Sequence, residues 1–162
     1  MRRAFFSFHY QRDIFRANQV RNSWVCPPER EYQASWDGSL WEEAVTKGDD
    51  AIKSLIDSGL ANTSVTVVLI GQETYLRKYV HYEIARSFQD SKGLVGVYIH
   101  NLNCPVEGTC IRGENPLDNW AVTKNNVSVK LSSTFKTYDY VEDDGYNNLG
   151  AWIEEAARIA GR

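Results

Sequence analysis

The sequence predicts a three-layer α/β sandwich around a central, mainly parallel sheet. Two runs, VTVVLI at 65–70 and LVGVYI at 94–99, are almost unbroken in aliphatic and β-branched residues. Such runs suit strands covered on both faces. Between them, Val80, Ile84 and Phe88 recur every fourth residue, the spacing of one helical face. A strand, a helix and a second buried strand in that order imply a right-handed crossover and a parallel sheet.

Residues 4–8, AFFSF, read as the first strand. Asp13 then serves as the expected N-cap of a helix running to about Trp24. Cys26-Pro27-Pro28 stops that helix, because proline lacks the N–H and restricts the residue before it. Tyr32–Trp36 is the best candidate for the second strand, followed by a polar turn at Asp37-Gly38-Ser39. Beyond Gly48, the residues Ala51, Ile52, Leu55, Ile56 and Leu60 share one helical face, and Gly59 and Asn62 mark its end.

The helix after Val65–Ile70 is expected at Arg77–Ser91. From Asn101 to about Lys130 the pattern dissolves into a Gly-, Pro- and Asn-rich loop region. Ser133–Val141 supplies a last strand. Asn148–Ile159 closes the chain as an amphipathic helix with Leu149, Trp152, Ile153, Ala156 and Ile159 on its buried stripe. No repeat, linker or low-complexity tract divides residues 1–162, so a single domain is expected.

Composition narrows the function. The 162 residues are 43% hydrophobic with a formal charge of −3, enough apolar surface for a sizeable core. A pI near 5.6 and scattered basic residues leave no footprint for nucleic acid and no polybasic stripe for a membrane surface. The apolar run behind Arg2-Arg3 is too short for a secretory signal, and no stretch reaches membrane-spanning length. A cytoplasmic protein is expected. Three cysteines, Cys26, Cys104 and Cys110, show no C-x-x-C spacing. A Cys104–Cys110 disulfide and a Cys/His metal site with His100 are both weaker readings than plain thiols, so no metal is expected.

Open α/β sheets bind ligands at the carboxyl ends of their strands. That rule singles out Ser7–Arg12, Asp37–Gly48 and Gly71–Arg77. None carries a G-x-G-x-x-G, a G-x-x-x-x-G-K-[ST] or a G-x-S-x-G motif. The first strand ends in Phe8-His9-Tyr10, without the acidic pair of a receiver or the Gly- and hydroxyl-rich phosphate loop of a flavodoxin. The informative segment is Tyr79-Val80-His81-Tyr82-Glu83. With Val80 and Ile84 facing the core, Tyr79 and Glu83 lie on an adjacent stripe, near a strand end where a carboxylate can be partly desolvated. The alternative is an exposed glutamate paired with Arg86 on the same helix.

The run from Ser35 to Ile84 resembles a TIR (Toll/interleukin-1 receptor type) domain. Trp36-Asp37 with Gly48 resembles the strand end and BB loop, VTVVLIGQETY the next strand and its loop, and Tyr79-x-x-x-Glu83 stands in place of W-x-x-x-E. RRAFFSFHYQRD, VRNSWV, SLWEEA, NTSVTVVLIG, YVHYEI and GENPLDNW more closely resemble the TIR-like subunits of bacterial Thoeris antiphage systems, over roughly three quarters of the chain. Tyr79 departs from the motif tryptophan but keeps an aromatic scaffold.

The resemblance implies a flavodoxin-like fold. It also implies an enzyme that cleaves NAD between nicotinamide and ribose and makes a cyclic ADP-ribose isomer, with NAD as substrate and no further cofactor. It implies a phage component as trigger, self-association on activation, and a cyclic-nucleotide-sensing effector reached through the product. Carried over residue by residue, Glu83 is the catalytic residue. Phe6, Ser7 and Phe8 match the end of the first strand beside the dinucleotide, His9 a phosphate contact, Trp41 a base-stacking ring that core packing equally explains, and Tyr79 the motif aromatic. Asn115 and Asp118 match the family string NPLD, which assigns them no particular role. Two competing functions are a TIR-like module acting only through protein contacts and a nucleoside deoxyribosyltransferase-like enzyme indifferent to NAD.

Overall fold

The computed structural model describes residues 2–25, 30–32 and 38–162. Strand β1 (Arg2–Ser7) leads into helix α1 (Tyr10–Val25), and β2 (Arg30–Tyr32) pairs back alongside β1. Helices α2 (Gly38–Lys47) and α3 (Asp49–Leu60) precede β3 (Val65–Ile70), α4 (Lys78–Gln89) and β4 (Gly93–Tyr98). A two-stranded hairpin, β5 (Ala121–Lys124) and β6 (Val127–Lys130), leads through the short helix α5 (Leu131–Thr134) to β7 (Thr137–Asp139) and the closing helix α6 (Gly145–Ile159). The main sheet runs β2-β1-β3-β4-β7 with every pair parallel. This is the flavodoxin-like order, which reverses direction between β1 and β3.

Strand alternation decides which residues meet which layer. Ala4, Phe6 and Phe8 point to the same side as Val65, Val67 and Leu69, where Ala17, Val20 and Trp24 of α1 and Trp152, Ile153 and Ala156 of α6 cover them. The other side of β1 carries Phe5, packed with Ile52, Ile56 and Leu60 of α3. Ser7 follows two residues later on that same side. The matching side of β3 and β4 presents Val68, Ile70 and Leu94 to Val80 and Ile84 of α4. The β1 register, Ser7 opposite Val68, therefore aims the Ser7 hydroxyl at α4.

Several expectations need correction. Asp13 does not cap α1. It lies one turn inside the helix, fully buried, where its N–H donates to the His9 carbonyl at 2.8 Å. His9 is the cap, and its Nδ1 accepts the Arg12 N–H at 3.4 Å. The expected loop Asp37–Gly48 is mostly helix α2, and among its residues with described burial Ala44 alone is buried. Phe88, expected on the buried stripe of α4, is 39% exposed. Residues 101–130 contain the β5–β6 hairpin, closed by Asn125 and Asn126 at φ 50° and 62°, a two-residue turn of the kind that matches strand twist. Strand Tyr32–Trp36 and the turn at Asp37 fall mostly outside the described residues, as does Cys26. Cys104 and Cys110 are free thiols. Among the described residues, no group of three or more His, Cys, Asp or Glu side chains is placed to hold a metal ion. No described helix is long and apolar enough to cross a membrane.

Candidate active site

The first strand ends at Ser7, and α4 runs past it carrying Glu83 on its second turn. Glu83 is 2% exposed. Its only described polar partner is Ser7, whose hydroxyl donates to Glu83 Oε2. The expected alternative partner, Arg86, instead holds Asp57 at 3.1 Å and Asp90 at 3.7 Å. Burial without a cation pushes the Glu83 carboxyl up to about 8, and the bond from Ser7 opposes that rise.

Glu83 lies in the wall of a cleft of about 270 Å³ at the carboxyl end of β1. Phe8 and Tyr10 come from the β1–α1 junction, Trp41 from α2, Ile52 from α3, and Tyr79 from the same helix as Glu83. The aromatic rings form a continuous wall. Tyr10 and Trp41 have centroids 5.8 Å apart, and Trp41 meets Tyr79 edge-on at 5.9 Å. Phe8 extends the series, 6.3 Å from Tyr10. The Tyr79 hydroxyl donates to Asp49 Oδ1 at 2.7 Å, which fixes the ring against the start of α3. Lys78 and Lys53 also reach Asp49, at 2.7 and 3.1 Å, and these contacts hold its carboxyl well below the usual range.

A second cluster flanks the cleft. Arg16, fully buried, donates to Asp13 Oδ1 and Glu107 Oε1, each at 3.0 Å. It also donates to the carbonyls of Leu102 and Gly108 at 3.0 and 2.7 Å. One side chain thus ties the loop after β4 to α1. Arg12 joins the cluster through Glu73 at 3.3 Å and Glu107 at 3.4 Å. No sequence motif pointed to this network. Its signal was the i, i+3 pair Asp13 and Arg16 on the buried side of α1.

The structure brings Ser7, Phe8, Trp41, Tyr79 and Glu83 together. Phe6 packs on the opposite side of the sheet, because adjacent strand residues alternate. His9 is 7% exposed, caps α1, and lies 4.0 Å from Glu73 without lining the cleft. Burial lowers its pKa, and Arg77 and Arg12 lower it further. Asn115 accepts the Leu117 N–H at 3.0 Å and donates to Thr137 at 2.8 Å, and Asp118 accepts from Ser132 at 2.5 Å. Both brace the segment before β5 and do not line the cleft. Sequence reasoning missed Tyr10 and Arg77, which both line it.

A parallel flavodoxin-order sheet with an aromatic cleft and a buried glutamate at its carboxyl edge defines a TIR-like domain. The chain belongs to the Thoeris ThsB family: the family described as "Thoeris protein ThsB, TIR-like domain" matches residues 5–104. It is 35% identical over 189 aligned positions to a Bacillus cereus (strain MSX-D12) protein named "Putative cyclic ADP-D-ribose synthase ThsB1", covering 94% of this chain and 98% of that relative.

Proposed function

We propose that the protein is an antiphage-defence enzyme that cleaves NAD between nicotinamide and ribose and closes the remaining ADP-ribose into a cyclic isomer. The observation that carries this reading is the buried Glu83, held by Ser7 in the wall of an aromatic cleft. The name of the Bacillus cereus relative supports the same product class.

Nicotinamide is cationic while attached and leaves as a neutral ring, so bond breaking transfers positive charge to the ribose. A carboxylate beside that ribose stabilises the charge as it develops. Glu83 does this in ionised form, with the Ser7 hydroxyl fixing its position. No second carboxylate is required as general acid, unlike the pair in glycoside hydrolysis. Trp41, Tyr10 and Tyr79 offer flat apolar surface to the nicotinamide ring and keep water from the ribosyl cation. Cyclisation then needs a nucleophilic atom of the same molecule to reach that cation before water does.

In this reading NAD is the substrate and no other cofactor takes part. The product acts on a cyclic-nucleotide-sensing effector, a phage component triggers the reaction, and self-association accompanies activation. The test is incubation of the purified protein with NAD, alone and with lysate of phage-infected cells, beside a Glu83→Gln variant. Nicotinamide release that requires Glu83, with a second product of the mass of cyclic rather than linear ADP-ribose, is the expected result. No release under either condition at high protein concentration would move the function to a TIR-like interaction module.

A further inference from the structure

The cleft is small for a dinucleotide. Its volume of about 270 Å³ falls below the ~300–1,000 Å³ typical of sites that enclose drug-sized ligands. If the nicotinamide ribosyl end occupies the wall beside Glu83, the diphosphate and adenosine must continue out through the mouth. A diphosphate also resists full burial, since a desolvated anion without partners is costly.

The other cations on the elements that meet at this edge of the sheet are engaged. Lys78 is paired with Asp49. Arg12 is paired with Glu73 and Glu107, and donates to Gln72 at 3.1 Å. Arg16 is spent on Asp13 and Glu107. Arg77 differs: it lines the cleft and is exposed, and its guanidinium makes no hydrogen bond or ion pair with any described residue. It stands six residues before Glu83 along α4 and its cap, about 9 Å at the helical rise. The separation suits a substrate whose nicotinamide ribose is at Glu83 and whose diphosphate, carried on the 5′-carbon of that same ribose, lies toward the mouth. The positive charge of Arg77 also reaches the end of β1, where it lowers the pKa of the buried His9.

We propose that Arg77 binds the diphosphate of the dinucleotide substrate at the cleft mouth, through a paired guanidinium–phosphate contact. This assignment rests on the NAD reading of the Glu83 site. A guanidinium presents two parallel N–H donors to phosphate oxygens, which a lysine ammonium does not. At an exposed mouth the contact is weakened by salt. Its role is to place the ribosyl carbon beside Glu83, so it acts on substrate affinity more than on bond breaking.

The test uses the full chain carrying Glu83→Gln, which holds substrate without consuming it, and compares it with the same chain also carrying Arg77→Gln or Arg77→Lys. Isothermal titration measures binding of NAD and of nicotinamide riboside, which lacks the diphosphate. The expected result is NAD binding weakened about tenfold by Arg77→Gln, as loss of one charge-assisted contact implies. Arg77→Lys recovers part of that loss, nicotinamide riboside binds equally to all three proteins, and the difference shrinks in high salt. Unchanged NAD binding in Arg77→Gln would overturn the assignment while leaving the NAD reading intact. Equal weakening of NAD and nicotinamide riboside, or a lowered melting temperature, would overturn it in favour of a structural role. Absence of NAD binding to all three proteins would overturn it too, and wild-type nicotinamide release then tells whether the NAD reading falls with it.

Discussion

The Ser7 hydroxyl donates to the Glu83 carboxyl across the junction of β1 and α4, and no described cation shares that carboxyl. The bond favours the ionised form against the burial that disfavours it. Ser7→Ala therefore raises the pKa of Glu83 further, by about one unit if the lost bond is worth about 1–1.5 kcal/mol. Near neutral pH, nicotinamide release should fall severalfold, with partial recovery in alkaline buffer. Comparison of pH–rate profiles for the wild type and Ser7→Ala checks this: parallel profiles would mean that the bond does not tune Glu83.

Stability should carry the same signature. In the folded protein burial pushes the Glu83 carboxyl up to about 8, from an ordinary value of 4.5. Between those values the folded state holds a proton that the unfolded state has released, so stability falls as pH rises through that window. The contribution is fully present below the unfolded pKa and lost above the folded one. Glu83→Gln removes the titration. Its melting temperature should exceed that of the wild type most clearly at pH 8–9 and least at pH 4–5. Activity runs the other way, rising toward a plateau above about pH 8 as the carboxylate forms. Equal melting-temperature differences at both ends of the range would refute the buried titration.

Some of this site was legible in the sequence and some was not, for physical reasons. VTVVLI and LVGVYI announce strands because both of their faces are covered, so no charged residue interrupts them and the hydroxyl of Thr66 is bonded to Ser87 of α4 at 2.7 Å. Glu83 could be placed on a helix beside a buried stripe by counting from Tyr79. Its burial could not, because that depends on Ser7, 76 residues earlier. Helix α2 was missed because a short helix in which, among residues of described burial, Ala44 alone is buried carries little apolar periodicity. The β5–β6 hairpin did leave a signal, the Asn125-Asn126 pair between β-branched residues. Phe6 entered the expected site with Ser7 and Phe8 because all three match the family's first-strand end, and a motif match does not say which face of the strand a side chain takes.

Arg16 is the second stability hinge. It is the fully buried cation that pairs with Asp13 Oδ1 and Glu107 Oε1 and anchors the Leu102 and Gly108 carbonyls. Arg16→Ala leaves Asp13 buried without a counter-charge, which costs about 3–5 kcal/mol. Urea denaturation should show that loss, and limited proteolysis should cut first between residues 101 and 112, where the loop loses its tie to α1. Glu107→Gln, which keeps the size and an acceptor at a half-exposed position, should cost far less.

Gly113 tests how closely the same loop approaches the site. A Cβ there would come within 2.2 Å of the Gly71 carbonyl oxygen and 2.7 Å of that of Gln72. Both obstacles are backbone, so Gly113→Ala must push the loop away from the segment that follows β3. The expected cost is about 1–3 kcal/mol, measured by denaturation. A variant as stable as the wild type would show that the two loops move apart freely.

The aromatic wall makes the sharpest separation between binding and product choice. Trp41 and Tyr79 meet edge-on at 5.9 Å, and Tyr79 is held by Asp49 at 2.7 Å. Tyr79→Phe keeps the ring and loses only the hydroxyl bond, while Lys78 and Lys53 still engage Asp49. Its activity should stay within about twofold of the wild type, because a half-buried polar contact of this kind contributes about 1 kcal/mol or less. Trp41→Ala removes the face on which a nicotinamide ring can rest and opens the cleft to water. A lost aromatic contact of about 0.5–1.5 kcal/mol implies a KM roughly two- to tenfold higher. The more telling change is in the products: water entering the cleft captures the ribosyl cation before ring closure, so linear ADP-ribose should rise relative to the cyclic isomer. Trp41→Phe, which restores a flat apolar face, should return the ratio toward that of the wild type. If Trp41→Ala raises KM while the product ratio stays fixed, the wall binds substrate but does not exclude water, and cyclisation must be controlled elsewhere.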